Sequence, residues 1–166
     1  IEAIYKRLEG VEKVQSGYSG GTIENPTYRE VCEGRTGHAE VCEIKFNPEI
    51  ISFQEILDVF WKIHDPTTLN RQGNDVGTQY RSVIFFHTNT QKILAEASKN
   101  ELSKNAYYEN PIVTEISACE NFYPAESYHN SYLESHGEES YCRLVVLPKV
   151  EKFKTTFADK LKKAED

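Results

Sequence analysis

The chain of 166 residues has no methionine, only one tryptophan and no apolar run near the roughly 18 residues that would span a bilayer. We therefore expect no membrane segment. Positive charge is also scarce, because 19 Lys and Arg side chains face 26 Asp and Glu, which leaves a net charge of -7. That charge opposes the phosphate neutralisation on which nucleic-acid binding depends, so nucleic acid is not an expected partner.

Cysteines are few and none forms a C-x-x-C pair. The spacing of Cys32, Cys42, Cys119 and Cys142 therefore fits neither a dense disulfide framework nor a zinc site. We expect reduced and mostly buried thiols. Because the sequence begins at Ile1 and not at a methionine, it also predicts a processed or truncated N-terminus.

Length and pattern predict one domain over residues 1–166 in which strands alternate with helices. The predicted helices are Glu2–Glu9, Phe53–His64, Thr90–Ser103, Tyr128–Ser135 and Val150–Lys163. The predicted strands are Val11–Gly17, Val41–Phe46, Arg81–His87 and Ile112–Ser117. Residues 19–39 and 65–79 form two long connections. Loops of this length are usually functional when, as here, they combine Gly and Pro with Tyr, His, Arg, Asp and Glu.

The two connections carry the motifs of a known family. The matching blocks are Gly-Tyr-Ser-Gly-Gly at 17–21, Asn-Pro-Thr-Tyr-Arg-Glu-Val at 25–31, Thr-Gly-His-Ala-Glu at 36–40, Phe-Trp at 60–61, His-Asp-Pro-Thr at 64–67 and Arg-Gln-Gly-Asn-Asp-Val-Gly-Thr-Gln-Tyr-Arg-Ser at 71–82. On these residues the chain resembles the A class of peptide methionine sulfoxide reductase over most of 1–141.

The resemblance implies an α/β (α+β) fold: a two-layer sandwich with a mixed sheet, a ferredoxin-like core, long functional loops and a C-terminal helix. It implies reduction of methionine-S-sulfoxide, free or in proteins, through a cysteine sulfenic acid and a disulfide that thioredoxin reduces. The family's nucleophilic cysteine lies in a Gly-Cys-Phe-Trp motif, which the resemblance places just ahead of Ile1. We expect that motif, and the strand leading into it, in the residues before this sequence.

The same resemblance assigns roles to residues that are present. Glu40 matches the acid that protonates the departing oxygen, and its position where a Gly-rich loop enters a strand would allow burial to raise its pKa. Tyr28 and Tyr80 match the phenols that hydrogen-bond the sulfoxide oxygen. Asp75 matches a loop aspartate that orders the site.

Cys142 matches a recycling thiol of many members, although here Leu-Val-Val-Leu-Pro-Lys follows it in place of a Gly-rich tail with a further cysteine. The other three cysteines are expected to be structural. The remaining polar residues of the motifs are expected to brace loops: His38, His64, Arg71, Gln72, Arg81 and His129.

Two alternatives remain open from the sequence: a binding-only domain for oxidised methionine, and a hydrolase that uses Cys32 with His38. We expect no cofactor and no metal, since no ligands stand at zinc-site spacing around His38 and Glu40. The expected partners are the sulfoxide substrate and thioredoxin or a similar dithiol, and the expected state is a monomer. A cytoplasmic location is favoured, with a periplasmic or exported one left open.

Overall fold

A computed structural model of the protein describes residues 1–105 and 107–126. The α-helices are α1 (Glu2–Tyr5), α2 (Tyr28–Cys32), α3 (Phe53–Ile63) and α4 (Asn89–Lys104). The strands are β1 (Val11–Ser19), β2 (Ala39–Phe46), β3 (Arg71–Gln72), β4 (Asp75–Val76), β5 (Val83–Phe86), β6 (Glu115–Ala118) and β7 (Tyr123–Pro124). A single 3-10 turn, Thr78–Tyr80, precedes β5 in the described residues.

The described residues divide into two compact units. The first comprises residues 1–16, 42–52 and 125–126. Its core contains Ile4, Tyr5, Leu8, Val11 and Ile51, all no more than 3% exposed. Burial is the main cause that raises the pKa of Tyr5 well above its ordinary value, with the nearby Cys42 thiol adding to it. This unit carries none of the candidate site residues within the part of the chain that the structure describes.

The second unit comprises residues 17–41 and the described part of 53–124. Leu57 and Trp61 of α3 form its apolar centre with Ala95 of α4. The indole N–H of Trp61 donates to Ser98 Oγ at 2.7 Å, so the polar atom of this buried ring is satisfied. Seven half-buried side chains pack around this centre: Phe53, Phe60, Ile84, Leu94, Leu102, Ile112 and Ile116.

Strand pairing is mixed. β5 and β6 pair in parallel, with Val83 opposite Glu115 and Phe86 opposite Ala118. Parallel neighbours need a long crossover, which the 16 residues of α4 supply. β1 and β7 pair antiparallel in a three-stranded sheet of order β2-β1-β7, and β3 and β4 form a separate antiparallel pair. The predicted α/β (α+β) class with mixed strand pairing is therefore confirmed.

Most predicted elements are present with shifted ends. The predicted helix at 53–64 is α3, that at 90–103 is α4, and the predicted strands at 11–17 and 41–46 lie within β1 and β2. The N-terminal helix is shorter than predicted, because α1 ends at Tyr5 and turns carry the chain to Gly10. The two predicted C-terminal helices lie outside the described residues.

Candidate active site

One buried histidine holds the glycine-rich loop after β1. His38 is 1% exposed, its Nδ1 accepts from the Gly21 N–H at 2.9 Å, and its Nε2 donates to the Ile23 carbonyl at 2.7 Å. Since an N–H only donates and a carbonyl only accepts, these bonds select the neutral tautomer protonated at Nε2. His38 thus braces the loop, as predicted. The alternative of a hydrolase that uses Cys32 with His38 is wrong, because both ring nitrogens of His38 are bonded to backbone groups and neither is available to a thiol.

Gly21 allows the loop to close on the segment that enters β2. A Cβ on this residue would lie 2.3 Å from the Thr36 carbonyl oxygen and 2.4 Å from the backbone nitrogen of His38. The neighbouring Thr22 N–H donates to the same Thr36 carbonyl at 3.0 Å. No side chain fits at this approach, so the glycine is required for the geometry that leads into Glu40.

A short helix inside the first long loop positions one of the predicted phenols. Thr27 caps α2 in a capping box: its Oγ1 accepts from the Glu30 N–H at 3.2 Å, and the Glu30 carboxylate accepts from the Thr27 N–H at 3.1 Å. Tyr28 is therefore the first helical residue and Cys32 the last. Residues four apart lie on one face of a helix, so these two side chains are neighbours.

Glu40 follows the fully buried Ala39 at the start of β2. Its pKa is raised to about 7, first by desolvation of the carboxyl and then by the negative charge of Asp75. Glu40 is exposed as a residue, so this rise reflects protein atoms crowded around the carboxyl and not complete burial. A carboxyl with such a pKa holds a proton near neutral pH and can release it.

The charge beside Glu40 is presented by a tight hairpin. Asp75 in β4 pairs with Gln72 in β3, and the Arg71 guanidinium donates across the turn to the Gly73 carbonyl at 2.6 Å. The Gln72 amide donates to the Asp65 carbonyl at 2.6 Å, which ties the hairpin to the end of α3. Arg71 and Gln72 therefore brace the second loop, as the sequence predicted.

Tyr28 and Tyr80 belong to the same cluster. The pKa of Tyr28 is raised, first by its hydrogen bond with Cys32, then by desolvation, and further by Cys32, Tyr80 and Glu40 as neighbouring groups. A raised pKa keeps the phenol protonated, so it serves as a hydrogen-bond donor at neutral pH. The structure thus brings together all four predicted site residues that it describes: Glu40, Tyr28, Tyr80 and Asp75.

The cysteines depart from the sequence prediction. Cys32 is exposed and hydrogen-bonds Tyr28, while Cys42 and Cys119 are only half-buried, so the expectation of mostly buried thiols is wrong. Cys32 lies at the last position of a helix that the sequence reading treated as loop. Its spacing of four residues from Tyr28 was the signal that could have revealed this contact.

Two further motif residues brace the ends of the second loop. Arg81 donates to the carbonyls of Thr78 at 2.8 Å and Gly37 at 3.0 Å, which joins the second loop to the first. His64 donates from Nδ1 to the Phe60 carbonyl at 2.5 Å, so in its neutral form Nε2 accepts from Ser82 Oγ at 2.7 Å. Burial lowers the pKa of His64 and favours this neutral state.

Cys142 and His129 lie outside the described residues. Within the described ranges, no group of three or more His, Cys, Asp and Glu side chains is arranged to hold a metal ion. No helix there is long and apolar enough to cross a membrane.

Comparison with known proteins fits this geometry. The sequence model of the family described as peptide methionine sulfoxide reductase matches residues 1–161. A relative named peptide methionine sulfoxide reductase MsrA, from Saccharolobus solfataricus, is 53% identical over 97% of this chain and 90% of its own length. A relative of the same name from Natronomonas pharaonis is 48% identical over the same shares.

Solved structures agree at lower identity. Reduced Mxr1 from Saccharomyces cerevisiae superposes with a TM-score of 0.76 and 36% identity over 85% of this chain and 81% of that one. Methionine sulfoxide reductase A of Corynebacterium diphtheriae superposes with a TM-score of 0.68 and is 36% identical, over 77% of this chain and 65% of that one. The chain belongs to the peptide methionine sulfoxide reductase family.

Proposed function

We propose that this protein reduces methionine-S-sulfoxide, free or in proteins, to methionine, with Glu40 as the proton donor. The observation that carries the proposal is the pKa of about 7 at Glu40, raised by desolvation and by Asp75, in a carboxyl that interacts with Tyr28, which in turn interacts with Tyr80. A sulfoxide oxygen leaves only when it is protonated, and a carboxylic acid that is half protonated near pH 7 supplies that proton efficiently.

The chemical step moves one oxygen atom. A cysteine thiolate attacks the sulfoxide sulfur, the sulfur–oxygen bond of the substrate breaks, and a new bond joins that oxygen to the cysteine sulfur. Glu40 gives its proton to the oxygen. The products are methionine, a cysteine sulfenic acid and ionised Glu40, so the substrate sulfur gains the two electrons that the cysteine sulfur loses.

The two phenols hold the oxygen during this transfer. Tyr28 and Tyr80 donate hydrogen bonds to the sulfoxide oxygen as negative charge develops on it. The pKa of Tyr28 lies above its ordinary value, so the phenol keeps its own proton and Glu40 is the group that gives one up. Asp75 acts on the reaction by keeping Glu40 protonated.

The nucleophile of the proposal is a cysteine ahead of Ile1, as the family resemblance implies, and Cys142 is the proposed recycling thiol. Its thiol condenses with the sulfenic acid, which releases water and leaves a disulfide. Thioredoxin or a similar dithiol then reduces the disulfide by exchange.

The proposed setting is a single domain over 1–166 that acts as a monomer in the cytoplasm. The family match over residues 1–161 supports one functional domain. The three cysteines that the structure describes are thiols and not disulfides, and Cys32 is exposed, which supports a reducing compartment.

Turnover tests the proposal. The chain carrying the residues that precede Ile1 in its own protein should reduce a peptide containing methionine-S-sulfoxide with thioredoxin or dithiothreitol, and should leave the R epimer intact. Cys32→Ser should keep the activity, because Cys32 takes no part in the proposed reaction, whereas replacement of the upstream cysteine should abolish it. No reduction by the folded, extended chain would overturn the proposal.

The binding-only alternative is not favoured, because the relatives carry the names of reductases and binding alone needs no proton donor. It predicts sulfoxide binding without consumption of dithiol. A stoichiometric measurement of methionine formed against disulfide formed separates the two, since the reductase gives one of each.

A further inference from the structure

Gln79 is a buried polar residue for which the proposed reaction has no role. It lies in the 3-10 turn Thr78–Tyr80, directly ahead of the phenol Tyr80, and is 6% exposed. Glutamine is usually found at the surface, and a buried amide is unfavourable unless it is hydrogen-bonded. Its placement therefore needs a structural reason.

The side chain reaches across the site to the helix that carries the other phenol. Gln79 Nε2 donates to the backbone carbonyl of Cys32 at 3.4 Å, although the two residues are 47 apart in sequence. Cys32 is the last residue of α2, whose final carbonyls lack partners within the helix. Tyr28 is at the other end of the same five-residue helix, so one amide links the segment of Tyr80 to the helix of Tyr28.

A glycine fixes where that amide can lie. A Cβ on Gly77 would be 2.3 Å from Gln79 Oε1 and 2.8 Å from its Cδ, so the amide is folded onto the bare backbone of Gly77. The Gly77 carbonyl in turn accepts from the Tyr80 N–H at 3.0 Å. Gly77, with φ of 145°, thus supports the amide on one side and the backbone of Tyr80 on the other.

We propose that Gln79 is a positioning residue that sets the spacing of the Tyr28 and Tyr80 hydroxyls around the sulfoxide oxygen, an inference that rests on the proposed function. The amide acts through α2 and the 3-10 turn and touches no reacting atom. Two phenols donate to one oxygen only when their separation is held, and a displacement near 1 Å at a reacting centre costs about a hundredfold in rate.

Two substitutions test this spacing in the extended, active chain. Gln79→Met keeps the volume but removes the donor, and should lower kcat about tenfold while KM changes less than about threefold. Gln79→Glu removes the donor only while the carboxyl is ionised. Its kcat relative to the parent should therefore rise as the pH falls and the carboxyl regains a proton to donate.

Gln91→Met is the matched control. The Gln91 amide accepts from the His87 N–H at 2.8 Å at the start of α4, so the same substitution there also removes one hydrogen bond. Its kcat should stay within about twofold of the parent. Equal kcat in Gln79→Met and Gln91→Met, or a Gln79→Glu to parent ratio that does not change with pH, would overturn the inference.

A second measurement separates this inference from the proposed function. The measurement uses NMR spectra of the extended chain without substrate, in which Tyr→Phe variants assign the ring signals of Tyr28 and Tyr80. Both signals should shift in Gln79→Met, and neither should shift in Gln91→Met. If the parent chain does not reduce the sulfoxide, the proposed function fails while these spectra still report on the link. Unmoved signals of both rings in Gln79→Met, with an active parent, overturn the inference alone.

Discussion

The apolar core around Trp61 and the loops around Glu40 belong to the same compact unit, yet different forces hold them. The core is built by packing of α3 and α4, with one hydrogen bond from the Trp61 indole. The loops are built by polar side chains that reach backbone groups far away in sequence, as from His38 to Gly21 and from Arg81 to Gly37.

This difference separates stability from activity. Loss of packing in the core removes buried apolar surface and leaves a cavity, so the free energy of unfolding should fall. Loss of a loop side chain changes where a carboxyl or phenol lies, and that should appear first in the rate. Core substitutions should therefore lower the free energy of unfolding and leave the rate per folded molecule, whereas loop substitutions should lower the rate and largely leave the free energy of unfolding.

The largest effect is expected at the proton donor. Glu40→Gln keeps the shape but cannot give up a proton, so kcat/KM for methionine-S-sulfoxide should fall about 10²- to 10⁴-fold. Thermal unfolding should remain cooperative. Glu43→Gln, an exposed glutamate on the same strand, is the control and should keep the parent rate; an equal loss in both variants would break the assignment.

The second prediction concerns the core. Trp61→Ala should lower the free energy of unfolding by about 3–5 kcal/mol, because the ring is 4% exposed and its N–H bonds Ser98. Urea titration measures the change. The folded fraction should retain its rate per molecule. Tyr107→Ala, at a ring that is 58% exposed, should change stability by less than about 1 kcal/mol.

A smaller effect is expected at the charge beside the acid. Asp75 raises the pKa of Glu40, so Asp75→Asn should lower that pKa and deplete the protonated form at alkaline pH. The rate of Asp75→Asn relative to the parent should fall between pH 6 and about pH 8 and then stay level to pH 9, with a loss of at most about tenfold for each unit of pKa change. A ratio that stays constant over this range would show that Asp75 does not tune the acid.

The last prediction links stability to the protonation of the acid. A carboxyl whose folded pKa is raised to about 7 from 4.5 stabilises the fold fully below pH 4.5 and loses that contribution as the pH rises through 7. The side chain of Glu40→Gln cannot ionise. The free energy of unfolding of the variant minus that of the parent should therefore be larger at pH 8 than at pH 4. Chemical denaturation at both pH values checks the sign, and an equal difference at both would contradict it.

Sequence patterns predicted the core region well. Helical periodicity located α3 and α4, and β-branched and aromatic residues located β5, because these elements follow from residues close together in the chain. The element ends shifted by a few residues. Capping and tertiary contacts decide where a helix or strand stops.

The loops were predicted only as functional segments. Their internal structure, α2, the β3–β4 hairpin and the 3-10 turn, depends on contacts such as that from Gln79 to Cys32, which no local pattern reveals. The roles of Glu40, Tyr28, Tyr80 and Asp75 came from the family resemblance. The raised pKa of Glu40 also rested on that resemblance, because the residues alone favoured a solvated glutamate at the end of a strand.

Titration of the Glu40 carboxyl by ¹³C NMR, with Glu40→Gln to assign its signal, tests the central claim most directly. A midpoint at about pH 7 that falls in Asp75→Asn is the predicted result. A midpoint near the ordinary value of 4.5, unchanged by that substitution, would show Glu40 ionised at neutral pH and contradict its role as the acid.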